Sequence, residues 1–202
     1  MTHCAASDSQ PGFLILAAGL SRRFGDADKL LAPLQGKPLI AHVLDTLKQL
    51  PLPCERVVVC VGPNPTPLTD YLSARQQTFT RCPNASAGMG STLADAVSAH
   101  ADWPGWIICL ADMPAISAAT YHALLTHNPP HGLLAPSWQG QRGHPVRIDQ
   151  RFRENLCKLQ GDTGARHLLA QHNDDLALLS VEDPGITLDI DTPSDLNRRL
   201  IL

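Results

Sequence analysis

The chain lacks several features that would define a class of protein at once. No apolar run approaches the roughly 20 residues that span a bilayer, so no membrane partner is expected. The net charge is −3, whereas chains that bind nucleic acid are normally strongly basic. The six cysteines form no C-x-x-C pair, which argues against a thiolate metal site and favours a reduced, cytoplasmic protein.

The length of the chain indicates one domain. Its 202 residues are enough for a substantial hydrophobic core. Residues 1–12 are small and polar and lack the cationic and apolar segments of a signal peptide, so we expect a flexible N-terminal tail there. No linker, repeat or low-complexity segment divides the remainder, and residues 13–202 are predicted to form a single domain.

The order of apolar and amphipathic segments predicts an α/β fold. Continuous apolar runs at Phe13–Ala17, Val57–Val61 and Ile107–Leu110 are typical of strands covered on both faces. Helical patterns alternate with them, so we expect a three-layer α/β/α sandwich. Further strands are predicted at 132–136, 146–148 and 176–181, and helices at 38–47, 91–100, 117–125, 151–159, 164–171 and 193–200.

The loop after the first strand is the first candidate ligand site, because open α/β sheets bind ligands beyond the carboxyl ends of their strands. Gly19 and Gly25 are separated by five residues, which matches neither a dinucleotide fingerprint nor a P-loop. Arg22, Arg23 and Lys29 supply positive charge that, with backbone amides, suits a phosphate. A solvated basic turn explains the same residues, and the loop alone does not decide between the two.

Two acidic residues are left without a structural explanation. Asp112 follows the third apolar strand, where Ser117 already supplies a cap for the next helix. Thr192, Pro193 and Asp195 form a helix-start pattern that does not account for Asp191 or for Asp189. Carboxylates that arrive from separate strand ends suit Mg²⁺, which takes one or two of them together with substrate phosphates.

Three further segments carry weaker signals. The small residues of Gly88–Ser91 suit close approach of a nucleoside, although a plain loop-to-helix junction explains them equally well. His144 precedes Pro145 and is predicted to be extended, but a lone histidine is more often structural. Gly161–Arg166 has the pattern of an Asp-capped helix start, which is an anion site if it faces a pocket.

Eight short segments together carry a family resemblance. They are LAAGLSRRFG at 16–25, Asp28-Lys29, LQGKPL at 34–39, GMGS at 88–91, DMP at 112–114, GHPV at 143–146, GDTGAR at 161–166 and DIDTP at 189–193. In this order they resemble the MobA-like nucleotidyltransferases, most closely the molybdenum cofactor cytidylyltransferase branch. The resemblance covers nearly all of the chain after the tail. It implies a Rossmann-like sandwich with a mostly parallel, mixed sheet, the nucleotide-diphospho-sugar transferase fold.

The resemblance also implies a reaction and a set of site residues. The phosphate of a molybdopterin-type acceptor would attack the α-phosphorus of an NTP and release pyrophosphate, with Mg²⁺ as cofactor. Ala18 stands where the guanylyl branch usually has glycine, which favours CTP. The implied roles are catalytic for Arg22, Lys29 and Asp112; nucleotide-binding for Ala17, Ala18, Gly19, Ser21, Arg22, Lys29, Gly88, Gly90 and Ser91; metal-binding for Asp112 and Asp191; and acceptor-binding for His144, Asp162 and Arg166.

Three alternatives stay open at this stage. A guanylyltransferase of the same pathway differs only in the base that it accepts. Transfer to another phosphorylated acceptor, such as a sugar 1-phosphate, uses the same chemistry, and a nucleotide-binding chaperone for the cofactor would need no turnover. For the favoured reading, the resemblance implies a molybdoenzyme or its maturation chaperone as a further partner.

Overall fold

An eight-stranded mixed sheet forms the centre of the protein. The computed structural model describes residues 10–19 and 28–197. The strands are β1 Gly12–Leu16, β2 Pro33–Leu34, β3 Lys37–Pro38, β4 Val57–Val61, β5 Phe79–Arg81, β6 Gly105–Leu110, β7 Leu133–Trp138, β8 Gln141–Arg142, β9 Val146–Asp149 and β10 Leu176–Ser180. In the large sheet they follow in the order β10-β7-β9-β6-β1-β4-β5, and β8 pairs with β7. β2 and β3 form a small separate hairpin.

The direction of the strands decides which segments meet at one edge. β5, β4, β1 and β6 are mutually parallel, and β10 is parallel to β7. β9 is antiparallel to both of its neighbours, β6 and β7. The start of β9 therefore lies at the edge where the parallel strands end. This confirms the prediction of a mostly parallel, mixed sheet.

Helices cover both faces of the sheet, as the alternating apolar segments predict. Alternate residues of β1 enter different cores: Phe13 and Ile15 pack toward one face, and Leu14 packs toward the other. The helices are α1 Leu39–Leu47, α2 Pro67–Ala74, α3 Met89–Ala99, α4 Ala118–Thr126, α5 Arg153–Cys157 and α6 Gly164–Gln171. The first core contains side chains of α1, α2 and α4, and the second contains side chains of α3, α5 and α6.

Several local predictions are confirmed at the level of single contacts. Ser117 is the N-cap of α4, and its Oγ accepts a hydrogen bond from the Thr120 amide. Cys60 and Cys109 are buried free thiols, and burial raises the pKa of Cys109 well above that of an exposed cysteine. No helix among residues 10–19 and 28–197 combines the length and apolarity needed to cross a bilayer.

Three predictions on element bounds are wrong. The first strand is Gly12–Leu16 and not 13–17, and the Trp103 ring occupies the space that a side chain at Gly12 would need. The predicted helix 151–159 is a 3-10 turn followed by the five-residue α5. The predicted helix 193–200 is, in its described part, a turn and a 3-10 helix at Asp195–Asn197, because the Asp195 carboxylate accepts from the amides of both Asp191 and Thr192.

His42 is a buried titratable group inside the first core. Its side chain lies on α1 with 5% of its surface exposed, and Nε2 is 2.8 Å from the Leu34 carbonyl oxygen. Burial lowers the pKa of His42 below 6.5, and the hydrogen bond to Leu34 opposes this only in part. The folded protein therefore holds His42 neutral at a pH where the unfolded chain takes up a proton.

We expect this difference to make the protein less stable in mild acid. The free energy of unfolding should fall as pH decreases from about 7.5 to about 5.5, because the unfolded state binds more protons in this range. Urea denaturation at several pH values measures the slope. His42→Gln should reduce the slope without abolishing it, because burial also lowers the pKa of His100 and of His144, whereas His122→Gln, at an exposed position of α4, should not reduce it. An equal slope in His42→Gln and the original protein would show that buried His42 does not contribute to the pH dependence of stability.

Candidate active site

The candidate site lies at the edge of the sheet where β1 and β6 end. Ala17–Gly19 follow β1, and Asp112 stands two residues after the last residue of β6. Because β9 is antiparallel, Val146 is paired near the end of β6, and His144 just before it reaches the same edge. Three segments that are distant in sequence are thus brought together by strand direction.

Lys29 joins the two acidic residues that helix capping does not explain. Its Nζ lies 2.8 Å from Asp112 Oδ2 and 3.0 Å from Asp191 Oδ1. The lysine side chain is 9% exposed, whereas the side chains of Asp112 and Asp191 are 26% and 45% exposed, so the ammonium is shielded and its partners are partly open to water. Burial lowers the pKa of this lysine, but the two carboxylates outweigh burial, and the pKa is raised. Lys29 is therefore a charged ammonium held between two carboxylates.

A short 3-10 helix, Lys29–Leu31, fixes the backbone from which this side chain extends. Asp28 is its N-cap, and Oδ1 of Asp28 accepts a hydrogen bond from the Leu30 amide at 3.0 Å. The Leu31 amide donates to the Asp28 carbonyl at 3.0 Å. No local sequence pattern gives Asp28 a role, and the structure shows that it caps the 3-10 helix that begins with Lys29.

The carboxylate pair fits a divalent cation. A positively charged nitrogen within 3.0 Å of both Asp112 and Asp191 shows that the two side chains converge on one cation position. Within the described ranges, no set of three or more His, Cys, Asp or Glu side chains is grouped for a metal ion. Two carboxylates with remaining positions left to water and phosphate oxygens are the usual Mg²⁺ arrangement. Asp189, two residues before Asp191, is exposed.

Residues 183–191 contact several of the candidate site residues, and we call this segment the C-terminal strap. The Ile186 carbonyl accepts a hydrogen bond from the His144 amide, and the Ile190 amide donates to the Asp112 carbonyl, both at 2.9 Å. Asp191 at the end of the strap reaches Lys29. The strap therefore positions three of the candidate site residues through backbone bonds and one ion pair.

Asp183 anchors the start of this strap, and sequence reasoning missed it. Its side chain is 6% exposed, and Oδ2 accepts from the Ser117 amide and hydroxyl at 2.9 Å and from the Thr120 hydroxyl. Oδ1 accepts from the Gly185 amide at 2.9 Å. The sequence signal was the acidic residue before Pro184-Gly185, a pattern that also marks an ordinary turn.

A cavity of about 360 Å³ lies beside Asp112. Ala18, Gly19 and Gly88, three of the residues predicted to contact a nucleotide, line it. Gly88 has a φ of 129°, and a Cβ there would lie 2.4 Å from Asp162 Oδ1, so only glycine fits. The remaining lining residues are Leu16, Ala85, Ser86, Ala87, Met89, Thr92, Leu110 and Asp162.

Other predicted nucleotide residues make structural contacts. The Ala17 amide donates to the Cys60 carbonyl within the sheet. The Gly90 amide donates to the Gly161 carbonyl at 2.7 Å, and Ser91 Oγ accepts from the Gly161 amide at 3.1 Å. These bonds lock the start of α3 onto the loop that precedes α6. Their contact with a nucleotide stays a prediction, and Ser21 and Arg22 lie outside the described residues.

A second cavity of about 710 Å³ adjoins the first, and Leu16, Met89, Leu110 and Asp162 line both. The three predicted acceptor residues, His144, Asp162 and Arg166, all line the larger cavity. Its wall also contains the first residues of α6, where Thr163 is the N-cap without a side-chain hydrogen bond. The amides at this helix start are suited to an anion.

Two details of this cavity differ from the sequence-based expectation or extend it. Asp162 does not cap α6 as predicted, because Oδ1 accepts instead from the Met89 amide at the start of α3, at 3.4 Å. His144 Nδ1 is buried and has no hydrogen-bond partner among the described residues. Burial lowers the pKa of His144, so the ring is neutral near pH 7.

Comparison with known proteins identifies the family. The profile of the MobA-like NTP transferase domain matches residues 13–176. The chain belongs to this family. It is 29% identical to nicotine blue oxidoreductase of Paenarthrobacter nicotinovorans over 196 residues, which cover 93% of this chain and 95% of that one. It is 34% identical to molybdenum cofactor guanylyltransferase of Aliivibrio fischeri over 100 residues, 50% of this chain and 48% of the relative, about half its length.

Solved structures confirm the fold. The manganese complex of Rv0371c from Mycobacterium tuberculosis H37Rv has a TM-score of 0.76 at 22% identity, covering 95% of this chain and 98% of that one. The complex of CMP:2-keto-3-deoxy-manno-octonic acid synthetase with CTP has a TM-score of 0.71 at 15% identity, covering 93% and 95%. The architecture is therefore that of the nucleotide-diphospho-sugar transferase fold.

We expect Asp183→Ala to destabilise the protein by about 2–4 kcal/mol, because the substitution leaves buried amide and hydroxyl donors without an acceptor. Urea denaturation measures this change. Glu182→Ala alters an exposed acidic residue next to it and should cost less than about 0.5 kcal/mol. Equal stability of the two variants would show that the strap is not anchored by Asp183.

Proposed function

We propose that the protein transfers a nucleotidyl group from an NTP, with CTP preferred, to the phosphate of a molybdopterin-type acceptor. The observation that carries the proposal is the cluster of Lys29, Asp112 and Asp191 beside two adjoining cavities. An acceptor phosphate oxygen forms a bond to the α-phosphorus while the bond from that phosphorus to the pyrophosphate oxygen breaks. Residues 13–202 are proposed to act as one domain in this reaction.

Positioning and charge account for most of this chemistry. The cavity of about 360 Å³ would hold the nucleotide, with glycine backbone against it at Gly19 and Gly88. Lys29, whose Nζ is 2.8 Å from Asp112, is placed to neutralise the triphosphate beside that carboxylate. Arg22 is proposed for the same task from the sequence resemblance alone. No protein nucleophile is required.

Asp112 and Asp191 would hold a divalent cation, which we propose to be Mg²⁺. The support is their shared cation position and the manganese complex of the Mycobacterium tuberculosis neighbour. When bound, the cation stabilises negative charge on the phosphate oxygens. The chain contributes the alignment: the strap holds Asp191, and its Ile190 amide holds the Asp112 backbone.

The larger cavity favours a bulky acceptor. Its volume of about 710 Å³ lies within the range of about 300–1,000 Å³ that is typical for drug-sized ligands. Apolar side chains such as Leu16 and Ile108 line it together with Arg142 and Arg166. A wide apolar wall with cations suits a ring system that carries a phosphate better than it suits a sugar 1-phosphate. His144, Asp162 and the α6 start are proposed to contact this acceptor, and a molybdoenzyme or its maturation chaperone to receive the product.

The preference for CTP is the finer part of the proposal. It rests on the resemblance of Ala17-Ala18-Gly19 to the cytidylyl branch, while the similarity to molybdenum cofactor guanylyltransferase supports the molybdopterin-type acceptor. Ser86 and Ala87 line the nucleotide cavity and are placed to contact a base. GTP is therefore the competing substrate that an assay must include.

An oxidoreductase is the second candidate, because similarity to nicotine blue oxidoreductase extends over nearly the whole chain. Electron transfer to a ring system would also use a wide apolar cavity. It gives no role to two carboxylates that converge on one cation position, however. The sequence also lacks the dinucleotide G-x-G-x-x-G fingerprint after its first strand. These two features favour nucleotidyl transfer.

Pyrophosphate release tests the proposal. The protein is incubated with Mg²⁺, a molybdopterin-type acceptor and each of CTP, GTP, UTP and ATP, with glucose 1-phosphate as a second acceptor. We expect release with CTP that depends on molybdopterin. Asp112→Asn should lower the turnover rate by at least about 100-fold through loss of charge stabilisation, while CTP still binds. Asp102→Asn, at an exposed position before β6, is the matched control and should keep full activity.

Each other outcome of this assay would indicate a different function. Release with GTP alone would assign a guanylyltransferase, and release only with glucose 1-phosphate would assign a different acceptor class. Oxidation of a nicotinamide dinucleotide without pyrophosphate release would favour the oxidoreductase. Nucleotide binding without either reaction would support a chaperone, and full activity of Asp112→Asn would remove the cation assignment.

A further inference from the structure

Met89 stands where the two cavities meet. It is the first residue of α3, and it lines both the cavity of about 360 Å³ and the cavity of about 710 Å³. Leu16 and Leu110 also line both, but they are paired at the ends of β1 and β6 and pack against the two cores. Met89 belongs to neither core. It is 46% exposed and is one of two large apolar side chains that are exposed among the described residues.

The thioether of Met89 is directed toward the larger cavity. A Cβ atom at Gly164 would lie 3.1 Å from Met89 Sδ and 3.6 Å from Met89 Cγ, so the end of the side chain rests beside this glycine. Gly164 is the first residue of α6 and lines only the larger of the two cavities. Met89 therefore extends from the nucleotide cavity across the boundary and onto the wall of the proposed acceptor cavity.

The backbone that carries Met89 is held on both sides of the boundary. The Met89 amide donates to Asp162 Oδ1 at 3.4 Å, and the Gly90 amide donates to the Gly161 carbonyl at 2.7 Å. The side chain itself is unbranched and rotates about several bonds, so it can fit against a ligand while the helix start stays in place. A fixed backbone with an adaptable apolar side chain suits contact with a flat ring.

We propose that Met89 is the apolar contact for the ring system of the acceptor and selects a planar heterocycle over a sugar. This inference rests on the proposed function, which gives Met89 no role. A ring that covers the exposed thioether removes apolar surface from water, and sulfur makes favourable contacts with aromatic rings. A sugar would instead place hydroxyl groups against Met89, where they would lack hydrogen-bond partners.

Protection from oxidation tests this contact without measuring turnover. Hydrogen peroxide converts an exposed thioether to its sulfoxide, and mass spectrometry follows this at Met89, with Met113, 3% exposed, as the buried control. We expect a fully oxidised pterin that carries a phosphomonoester to slow the oxidation of Met89 at least about 5-fold, because the ring covers the sulfur. Glucose 1-phosphate alone and α,β-methylene-CTP alone should change this rate by less than about 2-fold.

Two substitutions separate apolar contact from size, with the fluorescence of the pterin as the measure of binding. Met89→Leu keeps an apolar side chain of similar volume and should bind the pterin phosphate within about 3-fold of the original protein. Met89→Gln has a similar length but a polar end, and it should bind the pterin at least about 10-fold more weakly, with unchanged affinity for α,β-methylene-CTP. Leu178→Gln alters the other exposed large apolar side chain, on β10, and is the matched control that should change neither affinity.

The outcomes separate this proposal from the proposed function. Slower oxidation of Met89 with the pterin phosphate alone would support the contact, and this measurement needs no variant to fold. Equal protection by α,β-methylene-CTP or by glucose 1-phosphate would overturn the assignment of Met89 to the acceptor ring. A pterin phosphate that binds without protecting Met89, or that binds Met89→Gln as tightly as the original protein, would overturn it and leave the proposed acceptor intact. An original protein that does not bind the pterin phosphate would remove the proposed acceptor and this contact together.

Discussion

The two ion pairs of Lys29 are the interaction on which the site depends. They connect residues that are 83 and 162 positions apart in sequence, and the ammonium that joins them is buried. Without a cation, Asp112 and Asp191 would repel each other at this distance. The ammonium therefore allows Asp191 to approach Asp112 at the carboxyl edge of the sheet, and the proposed function places a divalent cation at the same carboxylates.

Strand β9 and the C-terminal strap bring the other candidate site residues to this edge. Antiparallel β9 brings His144 to the edge where the parallel strands end, and the C-terminal strap then crosses that edge. Asp183 ties the start of the strap to α4, and the Asp195 carboxylate fixes its end through the Asp191 amide. The Asp183 and Asp195 carboxylates each accept several hydrogen bonds. The chain is therefore held in place both before and after Asp191.

Much of this fold was predictable because its signals are local. The buried run Val57–Val61 is a strand with the predicted bounds, and the Ser117 cap is visible from its own neighbours. Asp112 and Asp191 stand out in the sequence because helix capping does not explain them, and the structure brings both side chains to Lys29. The structural role of their neighbours is visible within a few positions of each.

The rest depends on contacts between distant residues, which local patterns do not contain. Asp162 caps a helix 73 positions earlier, although its sequence neighbours predict that it caps the helix that follows. Asp183 acts on residues 63 and 66 positions away. The C-terminal pattern at Thr192 resembles a helix start, but the Asp195 side chain folds back onto the preceding amides and makes a tight turn.

A crystal structure with Mn²⁺ and α,β-methylene-CTP would show whether Asp112 and Asp191 hold the cation beside the nucleotide. We expect an anomalous peak within about 2.5 Å of both carboxylates and the nucleotide against Gly19 and Gly88. A bound nucleotide with the manganese away from both carboxylates would contradict the proposed cation site.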